Sequence, residues 1–141
     1  MTGAAASSEA TVRPAPLVLV VDDMPDVRDV LAEYLEHHRY QVATAEDGLE
    51  ALDKAFELGP DLILMDLSMP KLDGWEATRR LKRDPRTRHI PVIAFTGHVL
   101  KEYLENARLA GCDAVLTKPL HPRDLEAQVR RLLGRDPASR G

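Results

Sequence analysis

The sequence of 141 residues has one cysteine, few aromatic residues and no long apolar run. The single cysteine, Cys112, excludes an intramolecular disulfide framework and any cysteine-rich zinc module. The longest aliphatic run, residues 17–21, is far shorter than the ~20 residues that a membrane helix needs. Residues 1–16 lack the basic start and the apolar stretch of a signal peptide. These absences predict a small cytoplasmic domain with a hydrophobic core, in which Cys112 is a buried small apolar group.

Neither sign of charge dominates, because 19 Lys+Arg stand against 23 Asp+Glu and the net charge is −4. This mildly acidic balance disfavours bulk nucleic-acid binding. A local exception is a basic cluster in which Asp84 is the only acidic residue. Its members are Arg79, Arg80, Lys82, Arg83, Arg86 and Arg88. Long basic side chains usually form a solvated helix face, which is the interpretation we favour over contact with nucleic acid or with an acidic protein.

Short aliphatic runs alternate with helical patterns through the middle of the chain. Buried strands of parallel sheets are apolar runs of this kind. They occur at residues 17–21, 41–44, 61–65, 92–95 and 114–117. Between them apolar residues recur at steps of three and four, as on amphipathic helices. Five such pairs predict an α/β domain of the (βα)5 type over residues 17–134, between a disordered leader (residues 1–16) and a flexible tail (residues 135–141).

Polar residues follow four of the predicted strands. Asp22 and Asp23 follow the first, Asp66 the third, Thr96 the fourth and Lys118 the fifth. Parallel strands end at the same edge of a sheet, so we expect these side chains to converge. Three adjacent carboxylates repel one another, and Mg2+, which prefers oxygen ligands, would relieve that repulsion. Carboxylates, Mg2+, a lysine and a hydroxyl make a phosphoryl-transfer site with an aspartate as nucleophile.

The motifs around these residues resemble the receiver domain of bacterial two-component response regulators. They are VVDD (residues 20–23), DLILMDLSMPKLDGWE (residues 61–76), IPVIAFTG (residues 90–97) and LTKP (residues 116–119). The resemblance covers residues 17–133. It implies a flavodoxin-like, three-layer α/β fold with a parallel five-stranded sheet of order 2-1-3-4-5.

The resemblance also implies a role for each acidic residue. By position, Asp66 is the phosphoacceptor. Asp22, Asp23, Asp66 and the backbone carbonyl of Ser68 are the expected Mg2+ ligands. Such a protein catalyses only its own phosphorylation and dephosphorylation, so it is not expected to be an enzyme acting on other substrates.

Further positions concern the response to phosphorylation. The resemblance implies that Thr96 contacts the phosphoryl group after transfer, that Lys118 pairs with it, and that Pro119 follows a cis peptide bond. Many relatives carry an aromatic ring where this chain has Val115, so a ring-rotation switch is not expected and loop and helix shifts take its place. His98 stands where relatives tune hydrolysis of the aspartyl-phosphate, although an exposed histidine without a role fits equally well.

The implied partners are a sensor histidine kinase or a histidine phosphotransfer protein and a downstream target protein, with the chain as a monomer or a phosphorylation-dependent dimer. About eight residues follow the last predicted helix, so we expect no output domain and a signal carried by protein binding. The alternative is the receiver part of a larger multidomain regulator or hybrid kinase.

Two other classes of protein fit these residues less well. An aspartate-based phosphatase or mutase needs a second acid two residues after Asp66, and Ser68 stands there. In a flavodoxin the loop after the first strand holds a phosphate, which the acids of residues 22–26 would repel. The sequence also contains no P-loop and no kinase ATP motif.

Overall fold

The computed structural model describes residues 15–67, 72–97, 101–119 and 121–134, without the side chains of residues 101–104 and 107. Most of the predicted leader and all of the predicted tail lie outside the described residues. Ala15 and Pro16 are described, and their carbonyl groups accept hydrogen bonds from the side chain and the backbone of Gln41. Within these ranges, no helix has the length and hydropathy required to span a bilayer.

Five strands alternate with five helices. The strands are β1 (Leu17–Val21), β2 (Gln41–Ala45), β3 (Leu62–Asp66), β4 (Val92–Thr96) and β5 (Ala114–Thr117). The helices are α1 (Pro25–His37), α2 (Gly48–Leu58), α3 (Gly74–Arg83), α4 (Lys101–Ala110) and α5 (Pro122–Leu132). All strand pairs are parallel, and the strand order is β2-β1-β3-β4-β5. The predicted flavodoxin-like fold and its strand order are confirmed.

The third strand lies one residue later than the sequence pattern predicted. Asp61 precedes the strand, and its backbone amide and side chain both bond to Leu17 across the entrance to the sheet. At the other end Asp66 is still paired, opposite Phe95, and the amide of Leu67 continues the ladder by donating to the Phe95 carbonyl. Asp66 is therefore the last residue of the strand, held by the sheet itself.

The sheet separates two hydrophobic layers, because successive side chains of a strand point to opposite faces. On one face, Leu19, Val21, Ile63 and Met65 pack against α2 and α3. On the other face lie α1 and α5, whose buried side chains meet the alternate strand residues. That second cluster contains Val18, Val20, Leu62, Leu64, Ile93, Phe95, Leu31, Leu35, Leu125 and Val129. Helix α4 contacts α3 and β5. Because helices cover both faces, the strands are continuous apolar runs.

Three helices begin close to the carboxyl edge of the sheet with clear start signals. Pro25 occupies the first turn of α1, where its missing N–H costs nothing. The Asp47 carboxylate accepts a hydrogen bond from the Glu50 amide at the start of α2, and Asp73 accepts one from the Glu76 amide at the start of α3. These start signals fix the loops between the carboxyl edge of the sheet and the three helices.

Cys112, two residues before β5, is partly buried against the α2–α3 layer, with its Sγ atom 4.0 Å from the Thr78 hydroxyl oxygen. Burial raises the pKa of this thiol to about 11. Alkylation of the folded protein by iodoacetamide should therefore keep accelerating as the pH rises towards 11, whereas alkylation in urea should level off near the ordinary thiol pKa of ~8.5.

The same shift has a consequence for stability. The unfolded thiol ionises first as the pH rises, so the contribution of Cys112 to stability is present below pH ~8.5 and is lost as the pH rises towards 11. Unfolding in urea at several pH values, compared with Cys112→Ser, measures this loss. A folded-state alkylation plateau at the same pH as in urea would contradict the prediction.

Candidate functional site

Three carboxylates meet at the carboxyl edge of the sheet, as the sequence predicted. Asp22 and Asp23 follow β1, and Asp66 ends β3. One carboxylate oxygen of each lies within 4.8 Å of the others. Asp22 and Asp66 are 0% and 2% exposed, whereas Asp23 is exposed to solvent. The cluster is thus closed towards the core and open on the side of Asp23.

Lys118 brings a positive charge to the two buried carboxylates. Its Nζ atom lies 3.5 Å from Asp22 Oδ2 and 3.6 Å from Asp66 Oδ2. The backbone amide of Lys118 donates to the carbonyl of Thr96 at 2.7 Å, which ties the lysine to the end of β4. The following peptide bond, to Pro119, is cis, as expected. Lys118 therefore reaches the acidic cluster from a backbone position that the sheet sets.

Comparison with known proteins shows to which family the chain belongs. The family model described as "Response regulator receiver domain" matches residues 18–130. The chain belongs to this family. Receiver domains are signalling modules of two-component systems, and they bind Mg2+ at an acidic site of this kind.

Two response regulators show substantial sequence identity to this receiver. It is 41% identical over 118 residues to the polar-differentiation response regulator DivK of Brucella anthropi, covering 83% of this chain and 95% of DivK. It is 39% identical over 120 residues to the DNA-binding dual master transcriptional regulator RpaA of Synechocystis, covering 85% of this chain but only 50% of RpaA.

A solved structure of the same fold carries a metal. The receiver domain of the sensor histidine kinase PA1611 from Pseudomonas aeruginosa has a TM-score of 0.80 and 33% identity to this receiver, covering 85% of this chain and 98% of that one. That structure has a magnesium ion coordinated in its active-site cleft.

The residues of this receiver fit a hard divalent cation on their own geometry. Three carboxylates share a space in which two of them are withdrawn from water, and the Lys118 ammonium group offsets one of the three negative charges. Burial of unpaired charge is costly, so a cation that accepts oxygen ligands would stabilise the cluster. Ser68, the fourth expected ligand, lies outside the described residues.

The positions expected to respond to phosphorylation are partly described. Thr96 is fully buried at the end of β4 and lies opposite Thr117 of β5. Val115, two residues earlier on β5, is half-buried and packs against Leu67 and Ala94. Val115 thus brings an aliphatic side chain, and no aromatic ring, to this position of β5. His98 lies outside the described residues.

Arg28 also belongs to this site, and our sequence analysis missed it. Its Nη1 atom donates to the backbone carbonyl of Asp22 at 2.7 Å, while Oδ1 of Asp22 accepts from the Met24 amide at 2.9 Å. The signal in the sequence is a cation near the start of α1, where the helix dipole disfavours positive charge. A specific acceptor compensates for that placement. Arg28 holds the acidic loop after β1 from the helix side.

We expect Arg28→Met to weaken Mg2+ binding severalfold and to lower the free energy of unfolding by about 1.5 kcal/mol, because a hydrogen bond from a charged donor is lost. Arg28→Lys, which keeps one charged donor, should restore part of both. Mg2+ titration followed by Trp75 fluorescence, together with urea unfolding, measures these effects. Arg123→Met, at an exposed position of α5, is the control. Equal Mg2+ affinity in Arg28→Met and Arg123→Met would exclude the positioning role.

Proposed function

We propose that this receiver accepts a phosphoryl group on Asp66 from a histidine kinase or a histidine phosphotransfer protein. Transfer depends on Mg2+, and the phosphorylated form signals by binding another protein. The observation that carries the proposal is the meeting of Asp22, Asp23 and Asp66 within 4.8 Å, with Lys118 3.5 Å and 3.6 Å from two of them. An aspartate at the open edge of a parallel sheet, beside a metal-binding acid pair and a lysine, has the parts that phosphoryl transfer needs.

Each residue has a defined part in the transfer. A carboxylate oxygen of Asp66 attacks the phosphorus atom, the new O–P bond forms, and the N–P bond to the donor histidine breaks with departure of the imidazole. Asp22, Asp23, Asp66 and the Ser68 carbonyl would hold Mg2+, which when bound supplies positive charge to the phosphoryl oxygens. Lys118 supplies further positive charge from the side of β5.

The phosphoryl group would then shift the balance between two conformations. Lys118 now pairs with two carboxylates, and new phosphoryl oxygens would compete for its ammonium group. Thr96, whose carbonyl already accepts from the Lys118 amide, would contact the same oxygens through its hydroxyl. We propose that the change passes through β4, β5 and α4 without an aromatic ring at Val115, and that His98 affects how fast the aspartyl-phosphate is hydrolysed.

A cleft beside the site offers a place for the phosphodonor protein. It has a volume of about 350 Å3 and is lined by Asp26, Val27, Val30, Leu31, Lys118 and Pro119. Val30 is 66% exposed, so the rim of the cleft presents apolar surface next to Lys118. Because the phosphorylated histidine of such donors is exposed to the cytoplasm, we propose that this receiver is cytoplasmic. The similarity to half of RpaA favours a second candidate, a receiver that controls an attached output domain.

The test is phosphorylation of the wild-type protein by acetyl phosphate. We expect a mass increase of one phosphoryl group in Mg2+ and none in excess EDTA, with rapid loss of the group in hydroxylamine. Borohydride reduction should convert the modified residue to homoserine at position 66. Modification that survives hydroxylamine, or that maps to another residue, would overturn the assignment.

A further inference from the structure

A group of arginines on α3 and the turn after it forms a surface that the proposed phosphorylation site does not use. We call Arg79, Arg80, Arg83, Arg86 and Arg88 the arginine surface. The neighbouring Lys82 is not part of it, because its Nζ atom donates to the Ile90 carbonyl at 2.8 Å and pairs with Asp113 at 3.0 Å. That lysine ties α3 to the starts of β4 and β5 and has an internal, structural role.

Two carboxylates neutralise part of this surface. Glu76 pairs with both Arg79 and Arg80, each at 3.1 Å, and these hydrogen bonds, that of Arg80 foremost, lower the pKa of Glu76. Asp84 pairs with Arg86 at 2.9 Å, which lowers the pKa of Asp84 to about 2. Both acids are therefore ionised at neutral pH, and each is already engaged.

The remaining positive charge is uncompensated. Arg83 and Arg88 are exposed, and within the part of the chain that the structure describes no carboxylate lies within 4.0 Å of either guanidinium group. On α3 and the turn after it, five guanidinium groups thus stand with two carboxylates, which leaves three positive charges in this segment of a chain whose net charge is −4. This segment is therefore opposite in sign to the chain as a whole.

An exposed aromatic ring lies beside these charges. The guanidinium carbon of Arg86 is 4.5 Å from the centre of the Phe56 ring, and Phe56 is 40% exposed on α2. Leu49, seven residues earlier, is 48% exposed on the same side of that helix. Arginine and aromatic residues are enriched where proteins bind proteins, and a stacked arginine is already oriented for a partner.

We propose that the arginine surface and Phe56 together bind an acidic, apolar-containing segment of a partner protein. A long polyanion such as nucleic acid fits less well, because only three local positive charges would attract it while the net charge of the chain is −4. The surface also presents the apolar side chains of Phe56 and Leu49, which a polyanion would not use. Helices α2 and α3 cover the face of the sheet opposite α1 and α5. A partner there leaves the cleft beside Lys118 accessible, so the receiver can hold a phosphodonor and this partner together.

Fluorescence anisotropy with a labelled acidic peptide tests the proposal. The probe is a synthetic peptide of glutamates with leucines at helical spacing, and the comparison probes are the same peptide with glutamine for glutamate and a single-stranded oligothymidylate of equal charge. The variant is Arg83→Gln/Arg88→Gln, in which both replaced side chains are exposed and lack described ion pairs. The matched control is Arg123→Gln/Arg131→Gln on α5, with the same loss of charge on the opposite face.

We expect the acidic peptide to bind wild type, and its affinity to fall about tenfold in Arg83→Gln/Arg88→Gln and to change less than about twofold in the control pair. Phe56→Ala should weaken it about threefold without changing the salt dependence. Asp66→Asn should bind the peptide as wild type does, which separates this proposal from the phosphorylation proposal. No peptide binding, equal losses in both arginine pairs, or tighter binding of oligothymidylate than of peptide would overturn it.

Discussion

Replacing Asp66 by asparagine is expected to abolish phosphorylation by acetyl phosphate and by a cognate kinase. The amide of asparagine is a poor nucleophile and cannot form an acyl phosphate of the same kind, although it fits the same space at the end of β3. The fold should persist, because one of three clustered negative charges is removed while Lys118 keeps Asp22 at 3.5 Å. Mass spectrometry of the intact protein and urea unfolding measure the two effects.

The matched control for this change is Asp61→Asn, at the entrance of the same strand. The Asp61 side chain accepts a hydrogen bond from the Leu17 amide at 2.8 Å, and the oxygen of asparagine can take that bond over. Asp61→Asn should therefore be phosphorylated at the wild-type rate. Continued modification of Asp66→Asn, or a comparable loss in Asp61→Asn, would show that Asp66 is not the phosphoacceptor.

Gly74→Ala is expected to destabilise the protein by about 3 kcal/mol or more, or to prevent folding. A Cβ atom on Gly74 would lie 2.2 Å from the carbonyl oxygen of Asp66 and 2.9 Å from the Cα atom of Leu67. Both are backbone atoms that the β3–β4 ladder holds, so neither can move without opening the sheet. The gain of up to about 1 kcal/mol from placing alanine in a helix is smaller than this overlap.

Gly97→Ala is the control, because a Cβ atom there meets nothing within 4 Å. We expect its midpoint of urea unfolding to stay close to that of wild type. A soluble, folded Gly74→Ala variant with an unchanged midpoint would mean that α3 can move away from the end of β3. The contact explains why the first residue of α3, which lies against the end of β3, is a glycine.

The fold followed from local patterns. Five apolar runs with helical periods between them predicted the (βα)5 alternation, since buried strands and amphipathic helices each leave a short-range signature. Parallel pairing then required Asp23, Asp66 and Lys118 to meet, although more than forty residues separate each from the next along the chain. The error at the third strand was one residue, because residue pairing with β1 begins at Leu62 and residue pairing with β4 continues to Asp66.

The other features of the site and of the surface depend on long-range contacts. No pattern within one segment of the chain reveals such contacts. In the sequence Arg28 is a cation near the start of a helix, and only folding brings the Asp22 carbonyl to 2.7 Å from it. Gly74 needs its glycine only because Asp66 lies against it. The sequence predicted a solvated face for the basic cluster, yet folding pairs Lys82 with Asp113 and leaves Arg83 and Arg88 without described ion pairs. Composition and spacing identify which groups are present, but which charges remain uncompensated depends on the neighbours that folding brings to them.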